Sequence, residues 1–269
     1  MRTIAFLLGL LCGMVGRAQE LYVFTEPASN MPTNALGIRL TNEGQFSPSF
    51  RSRTMGEVMV GLNKNLMFHV QGFFSDMDGS YRLEGGSVYA KYRFLSLDGE
   101  KSHWRAAVYA RASTSKRPIS MEDINLEGDN SGFQGGLILT KLVHKLALSA
   151  TVGYSKARDG AEKQIAGSAV PNEIVNYSLS SGYLLLPFVY KNYHQPNFNA
   201  YVELLGKTNP ANGHSYLDLA PAVQVILNSR TRIDLGYRFE LGGNMDGRYL
   251  KNMYLVRLEL NFFNALKHK

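Results

Sequence analysis

The sequence predicts an all-β chain that closes into a transmembrane antiparallel β-barrel of about twelve strands. Three observations carry this: an export signal at the N-terminus, segments of about ten residues with a hydrophobic period of two, and connections that alternate between short and long.

The export signal comes first. Met1-Arg2 precedes an apolar run from Ile4 to Val15, and Gly16-Arg17-Ala18 then places small residues at the −3 and −1 positions of a cleavage site. The run is too short for a helix across a bilayer, which takes about 20 apolar residues. Residues 1–18 are therefore expected to be a cleaved signal peptide, with the mature chain starting at Gln19. Cys12, the single cysteine, leaves with it, so the mature chain forms no disulfide. Leu11 is bulky where a lipoprotein signal has a small residue, which argues against lipid attachment at Cys12. With Arg2 and Arg17 removed, the 29 Lys and Arg fall to 27 against 22 Asp and Glu, a net charge of +5. No block of basic residues tracks a phosphate backbone, so nucleic acid is not an expected partner.

The period of two follows. Ile233, Leu235, Tyr237, Phe239 and Leu241 alternate with Arg232, Asp234, Gly236, Arg238 and Glu240. In the last run Tyr254, Val256, Leu258, Leu260 and Phe262 share one face, while Arg257, Glu259 and Asn261 share the other. Side chains of a strand point to opposite faces in turn, so each run has an apolar and a polar surface. Strands are predicted near residues 35–42, 54–62, 65–75, 86–95, 103–113, 132–141, 145–155, 176–190, 198–207, 215–227, 231–241 and 252–262. Several are long enough to cross a membrane at a tilt. The eighth is broken by Leu184-Leu185-Leu186-Pro187, and ten or fourteen strands result if that region divides differently.

The connections then sort by length. Residues 63–64, 96–102, 142–144, 191–197 and 228–230 are short, and longer polar links at 43–53, 76–85, 114–131, 156–175, 208–214 and 242–251 fall between them. Tight turns at one end and long loops at the other are the habit of a membrane barrel, and an even strand count puts both termini on the short-turn side. Thr114–Ser131 and Lys156–Val175 are expected to be the main external loops. Phe94, Trp104 and Phe262 fall at the short-turn end of the apolar face, and Phe74, Tyr154 and Phe239 at the long-loop end, as two interfacial belts would require.

From Ala35 to Phe263 the chain resembles Gram-negative outer-membrane β-barrel proteins of the porin or transporter-like class. The run Tyr254–Phe263 resembles the terminal-strand signal read by the outer-membrane assembly machinery, although six residues, Asn264–Lys269, follow it as a periplasmic tail. The resemblance implies the lipid bilayer of the outer membrane as the setting and a small solute as the cargo.

Catalytic motifs are absent: there is no H-E-x-x-H, C-x-x-C, G-x-S-x-G or phosphate-binding glycine loop, and no cofactor is implied. A lipid-active barrel enzyme would need a serine beside a base, and only His214 with Ser215, or His69 with Ser75 or Ser87, offer one. Adjacent strand residues such as His214 and Ser215 point apart. Asp76-Met77-Asp78-Gly79 starts like a calcium loop but lacks the later ligands, so it reads as turn chemistry.

Two inward-facing sets remain. Met55, Met59, Met67 and His69 share a face on neighbouring strands, and thioether and imidazole donors suit soft ions such as copper; methionine as flexible filler is the alternative. Lys91, Arg93, Arg105 and Arg111 face inward from the fourth and fifth strands, with Tyr89 and Tyr109. Glu203 and Asp218, with Tyr201 and Tyr216, face them from the ninth and tenth. Such a transverse field would orient polar solutes, and four positives against two negatives predict mild anion preference. Arg232, Asp234, Arg257 and Glu259 are expected to neutralise one another. Residues 19–34 carry two prolines and no strand pattern, so they fold into the periplasmic mouth as a plug or trail as a tail. The function expected is an outer-membrane pore or channel for a small polar or charged solute. A filled structural or surface-binding barrel, a copper-handling barrel and a lipid-active enzyme are the alternatives.

Overall fold

The computed structural model describes residues 21–77, 79–99, 102–117, 121–158, 172–189, 194–248 and 250–267. The export signal and most of the 158–172 link lie outside them.

Twelve strands form one closed antiparallel ring: β1 (Leu36–Gln45), β2 (Arg51–Gly61), β3 (Leu66–Ser75), β4 (Arg82–Asp98), β5 (Ser102–Ser115), β6 (Gly132–Val143), β7 (Leu146–Ala157), β8 (Glu173–Leu186), β9 (Asn197–Thr208), β10 (Ser215–Leu227), β11 (Thr231–Gly243) and β12 (Met253–Phe262). Each pairs with its sequence neighbours, and β1 closes the ring on β12 with Leu36 opposite Phe262 and Leu40 opposite Leu258. Closure leaves no strand edge, which matters where lipid cannot hydrogen-bond the backbone.

The alternation read from the sequence sets the two surfaces. Along β1, Ile38 and Leu40 are 45% and 52% exposed on the outside, while Arg39, Thr41 and Glu43 are buried inside. An apolar exterior around a charged interior is the reverse of a water-soluble barrel and requires lipid around it. Phe94, Trp104, Phe262, Phe74 and Tyr154 all lie on the exposed face; Phe239 is half-buried beside Tyr237. The β10–β11 turn passes through Asn228 and Ser229 at φ of 50° and 55°, the positive values of a tight primed hairpin turn.

Three expectations need correction. β8 starts three residues earlier than predicted and stops at Leu186, because Pro187 has no N–H to continue the ladder. The link 187–196 is therefore longer than the opposite-end link 46–50, and the strict length order fails there. Finally, the Thr114–Ser131 region is not an outward loop. Residues 121–131 turn into the barrel, where Ile124 and Leu126 are buried against Ala157, Ile174, Tyr216 and Met245.

The short-turn end is also filled. Residues 21–34 run inside the ring, with Tyr22 and Val23 buried against Leu142, Ala147, Tyr201 and Leu255, and Ala28 against Tyr89, Tyr109 and Ile138. Tail residues 263–267 return towards this segment, where the Leu266 N–H donates to Asn34 O at 3.2 Å.

Candidate functional site

The inward face of every strand carries polar residues, and the closed ring brings the β4–β5 wall opposite the β9–β10 wall. The N-terminal segment crosses the space between them. On the acidic side, Glu203 accepts from Val23 N (2.9 Å), Phe24 N (2.8 Å) and Thr25 Oγ1 (2.6 Å), with Ser180 Oγ donating at 2.9 Å. On the basic side, Lys91 Nζ donates to Pro27 O (2.6 Å) and Ser29 O (2.8 Å), and Arg105 Nη1 donates to Ser29 Oγ (2.8 Å). The segment thus turns N–H groups to the carboxylate and C=O groups to the cations, as peptide dipoles should in that field.

Further clamps sit along it. Arg257 Nη1 donates to Val23 O at 2.8 Å, Arg232 to Tyr22 O, and the Ala28 N–H to Thr140 Oγ1 at 2.9 Å. Glu26 pairs with Arg39 at 2.9 Å and approaches Lys91 at 3.7 Å. Burial would raise its carboxyl, but Arg39 and Lys91 outweigh burial and hold it well below the usual carboxylate range.

The inward loop narrows the other end with the same chemistry. Asp129 accepts from Arg53 and from Arg117, and Arg53 also reaches Glu43 at 3.1 Å. Glu127 meets Arg111 at 2.5 Å, and Asp123 meets Lys207 at 2.7 Å. Burial pushes Asp123 up, and the Lys207 ammonium more than reverses this, so its carboxyl lies below the ordinary value. Asp218 is held by Arg248 of the β11–β12 link, at 2.9 and 2.5 Å, with the Arg248 guanidinium over the Tyr216 ring at 3.4 Å.

Between plug and loop lies a cavity of about 250 Å3. Its floor includes Phe24, Thr25 and Glu26, its roof Asp123–Glu127, and its walls Tyr89, Tyr109, Gln71, Gln134 and Asn176. Tyr89 and Tyr109 stack at 5.7 Å, and Arg111 lies over Tyr89 at 5.2 Å. Six arginine and lysine side chains and six carboxylates line the chamber.

The predicted lumen residues do face inward, but with different surroundings from those expected. Lys91, Arg105 and Glu203 grip the plug, Arg111 and Asp218 grip loops, and Arg93 sits at the rim with Nη2 donating to Lys64 O at 2.7 Å. The surplus of positive charge does not describe the chamber. Plug and loop bring in Glu26, Asp123, Glu127 and Asp129, carboxylates that a count over strands alone omits. Arg232, Asp234, Arg257 and Glu259 do form a network, with Arg232–Asp234 at 2.7 Å and Arg39 joining Glu259 at 2.8 Å. The sequence signal for the inward loop was there: Ile119, Met121, Ile124 and Leu126 are four apolar side chains in one long link.

Met59 and His69 are direct cross-strand partners, and Met67 lies two residues before His69. Met55 is opposite Phe73, beyond Glu57, and does not join them. The serine–histidine pairs do not assemble. His69 Nδ1 bonds Glu57 Oε1 at 2.6 Å, Ser75 donates to Glu84, Ser87 donates to Gln71, and His214 Nδ1 lies 2.9 Å from Glu122.

No family model and no curated protein matches the chain. Among solved structures it is similar to the KdgM porin, with a TM-score of 0.53 and 9% identity over 84% of this chain and 99% of that one. It is likewise similar to the NanC porin, with a TM-score of 0.51 and 13% identity over 84% of this chain and 98% of that one. At such identities the likeness concerns architecture: the chain has the fold of the outer-membrane porin barrels.

Proposed function

We propose that this protein is an outer-membrane channel for a small polar solute, closed at rest by its own N-terminal segment. The observation that carries the reading is the polar, charge-balanced chamber held between a plug and an inward loop by charge-assisted hydrogen bonds. Apolar packing throughout that space would make a permanent core, whereas here it is confined to small clusters about Tyr22 and Val23, Ala28, and Ile124 and Leu126. Polar clamps differ, because each group released from them is rehydrated when it leaves. Two barrels with a similar fold are porins, which fits the reading. In this scheme the short turns and both termini face the periplasm, and the plug opens toward that side.

Balanced charge at the chamber favours solutes that are neutral or zwitterionic and rich in hydrogen-bonding groups. Tyr89 and Tyr109 offer an aromatic face, and Gln71, Gln134 and Asn176 offer amides to such a solute. A second reading, a filled structural barrel, draws on the buried ion pairs that knit the lumen, such as Arg39 with Glu57 and Glu259. Planar-bilayer recording separates the two. The refolded full barrel should conduct rarely and a chain lacking residues 19–34 steadily. Silence from both would favour the filled barrel.

A further inference from the structure

We propose that Met31, Met59, Met67 and His69 form a binding site for a soft monovalent metal ion of the Cu(I) type, at the seam between the plug and the β2–β3 wall. His69 is 2% exposed, and its Nδ1 is 2.6 Å from Glu57 Oε1. A carboxylate on Nδ1 fixes the tautomer with the proton there and leaves a lone pair on Nε2, the arrangement that orients metal-binding imidazoles. Nε2 is buried and has no hydrogen-bond partner among the described residues. It points away from Glu57, and a buried nitrogen with its lone pair unused is a donor without a task.

Two thioethers hold neighbouring register positions on β2 and β3, and a third reaches in from the plug beside Met59. Met59 is the cross-strand partner of His69, which puts their Cβ atoms about 5 Å apart. Met67 is on the same face of β3, about 7 Å along the strand. Met31 comes from the plug. The methyl carbons of Met59 and Met31 lie 2.6 and 3.0 Å from the point where a Cβ on Gly37 would stand, so the absence of a side chain at position 37 admits both. Met59 and Met67 are buried, yet neither they nor Met31 belong to the apolar clusters of the lumen. Lys91, the register partner of Met67 on β4, has its ammonium taken up by two plug carbonyls and Glu26.

Three thioethers and one imidazole are soft or borderline donors, which favour Cu(I) over hard cations. Among the described residues no group of three His, Cys, Asp or Glu is placed to hold a harder ion. Because Met31 is on the plug and the other donors are on the wall, a bound ion fastens the plug, and plug docking in turn raises ion affinity. The site does not depend on whether the lumen conducts, and its test does not use conductance.

The test is titration of the folded full-length barrel, labelled with 13C in its methionine methyl groups, with Ag(I) as a probe that does not change oxidation state. The methyl signals of Met31, Met59 and Met67 should shift together and saturate at one ion per chain, while Met55, Met245 and Met253 stay in place. Met59→Leu and His69→Gln should each weaken the binding at least tenfold, leucine keeping the volume of methionine. Absence of a saturable shift, equal shifts at Met245 and Met253, or wild-type affinity in both variants would overturn the proposal. If a variant does not fold, the wild-type methyl spectrum alone decides.

Discussion

Replacing Glu203 with leucine should shift the N-terminal segment towards release. One buried carboxylate accepts three hydrogen bonds from the plug, those of Val23 N, Phe24 N and Thr25 Oγ1, at 2.6–2.9 Å. Hydrogen bonds to charged groups contribute about 1.5–3 kcal/mol each, and the lower value applies because released amides regain water. Three such bonds give about 4.5 kcal/mol, on the order of two thousandfold in the docked-to-released ratio. Glu203→Gln keeps an oxygen for the two backbone N–H groups and an amide for the hydroxyls. It loses only the charge, about 2 kcal/mol or roughly thirtyfold. Open probability in planar bilayers should therefore rise from wild type to Glu203→Gln to Glu203→Leu, approaching that of a chain lacking residues 19–34. If the truncated chain conducts while Glu203→Leu gates like wild type, Glu203 is not the clamp and the energetic reasoning fails.

Glu26 and Asp123 have carboxyls depressed when docked, so they stabilise docking above the ordinary carboxylate pKa of about 4 and lose that contribution as pH falls through their own lower values. Protease protection of residues 121–131 should thus hold from about pH 7 to pH 5 and fail only in stronger acid; release within that window would contradict the assignment. Arg53→Met leaves Glu43 without its buried partner and removes one of two guanidinium groups from Asp129. It should weaken loop docking by about 3 kcal/mol and expose residues 121–131 to protease at neutral pH. A tag at Asn212, within the exposed residues 210–213, should be reached by antibody on intact cells, one at Lys64 only after the outer membrane is opened, and one at buried Asp129 in neither case without loss of the loop's packing. Leu40→Arg, on the outer face at mid-strand, should destabilise the barrel by about 2–4 kcal/mol in a denaturant titration in lipid, as a charge facing the bilayer core does.

The sequence by itself determined the barrel, a count of about twelve strands and the face on which most strand residues lie. Period two is a local property: once Ile38 faces lipid, Arg39 must face the lumen, and the rule repeats through Leu258 and Glu259. The mutual neutralisation of Arg232, Asp234, Arg257 and Glu259 was readable for the same reason, since adjacent strands fix cross-strand neighbours. The end of β8 was not fixed so closely, because where pairing stops at Leu186 depends on how β9 meets it. Whether residues 19–34 plug the mouth or trail from it, and whether the long link after β5 joins them inside, was decided by tertiary structure. Neither residues 21–34 nor residues 121–131 carry a repeat that ties them to a partner. Their positions follow from single long-range contacts, such as Glu203 with Val23 and Phe24, or Asp129 with Arg53. Those contacts exist only after the ring closes and sets its two charged walls at a separation that a peptide segment can bridge. So the charges that a strand-by-strand reading assigns to passing ions are first engaged by the protein's own chain.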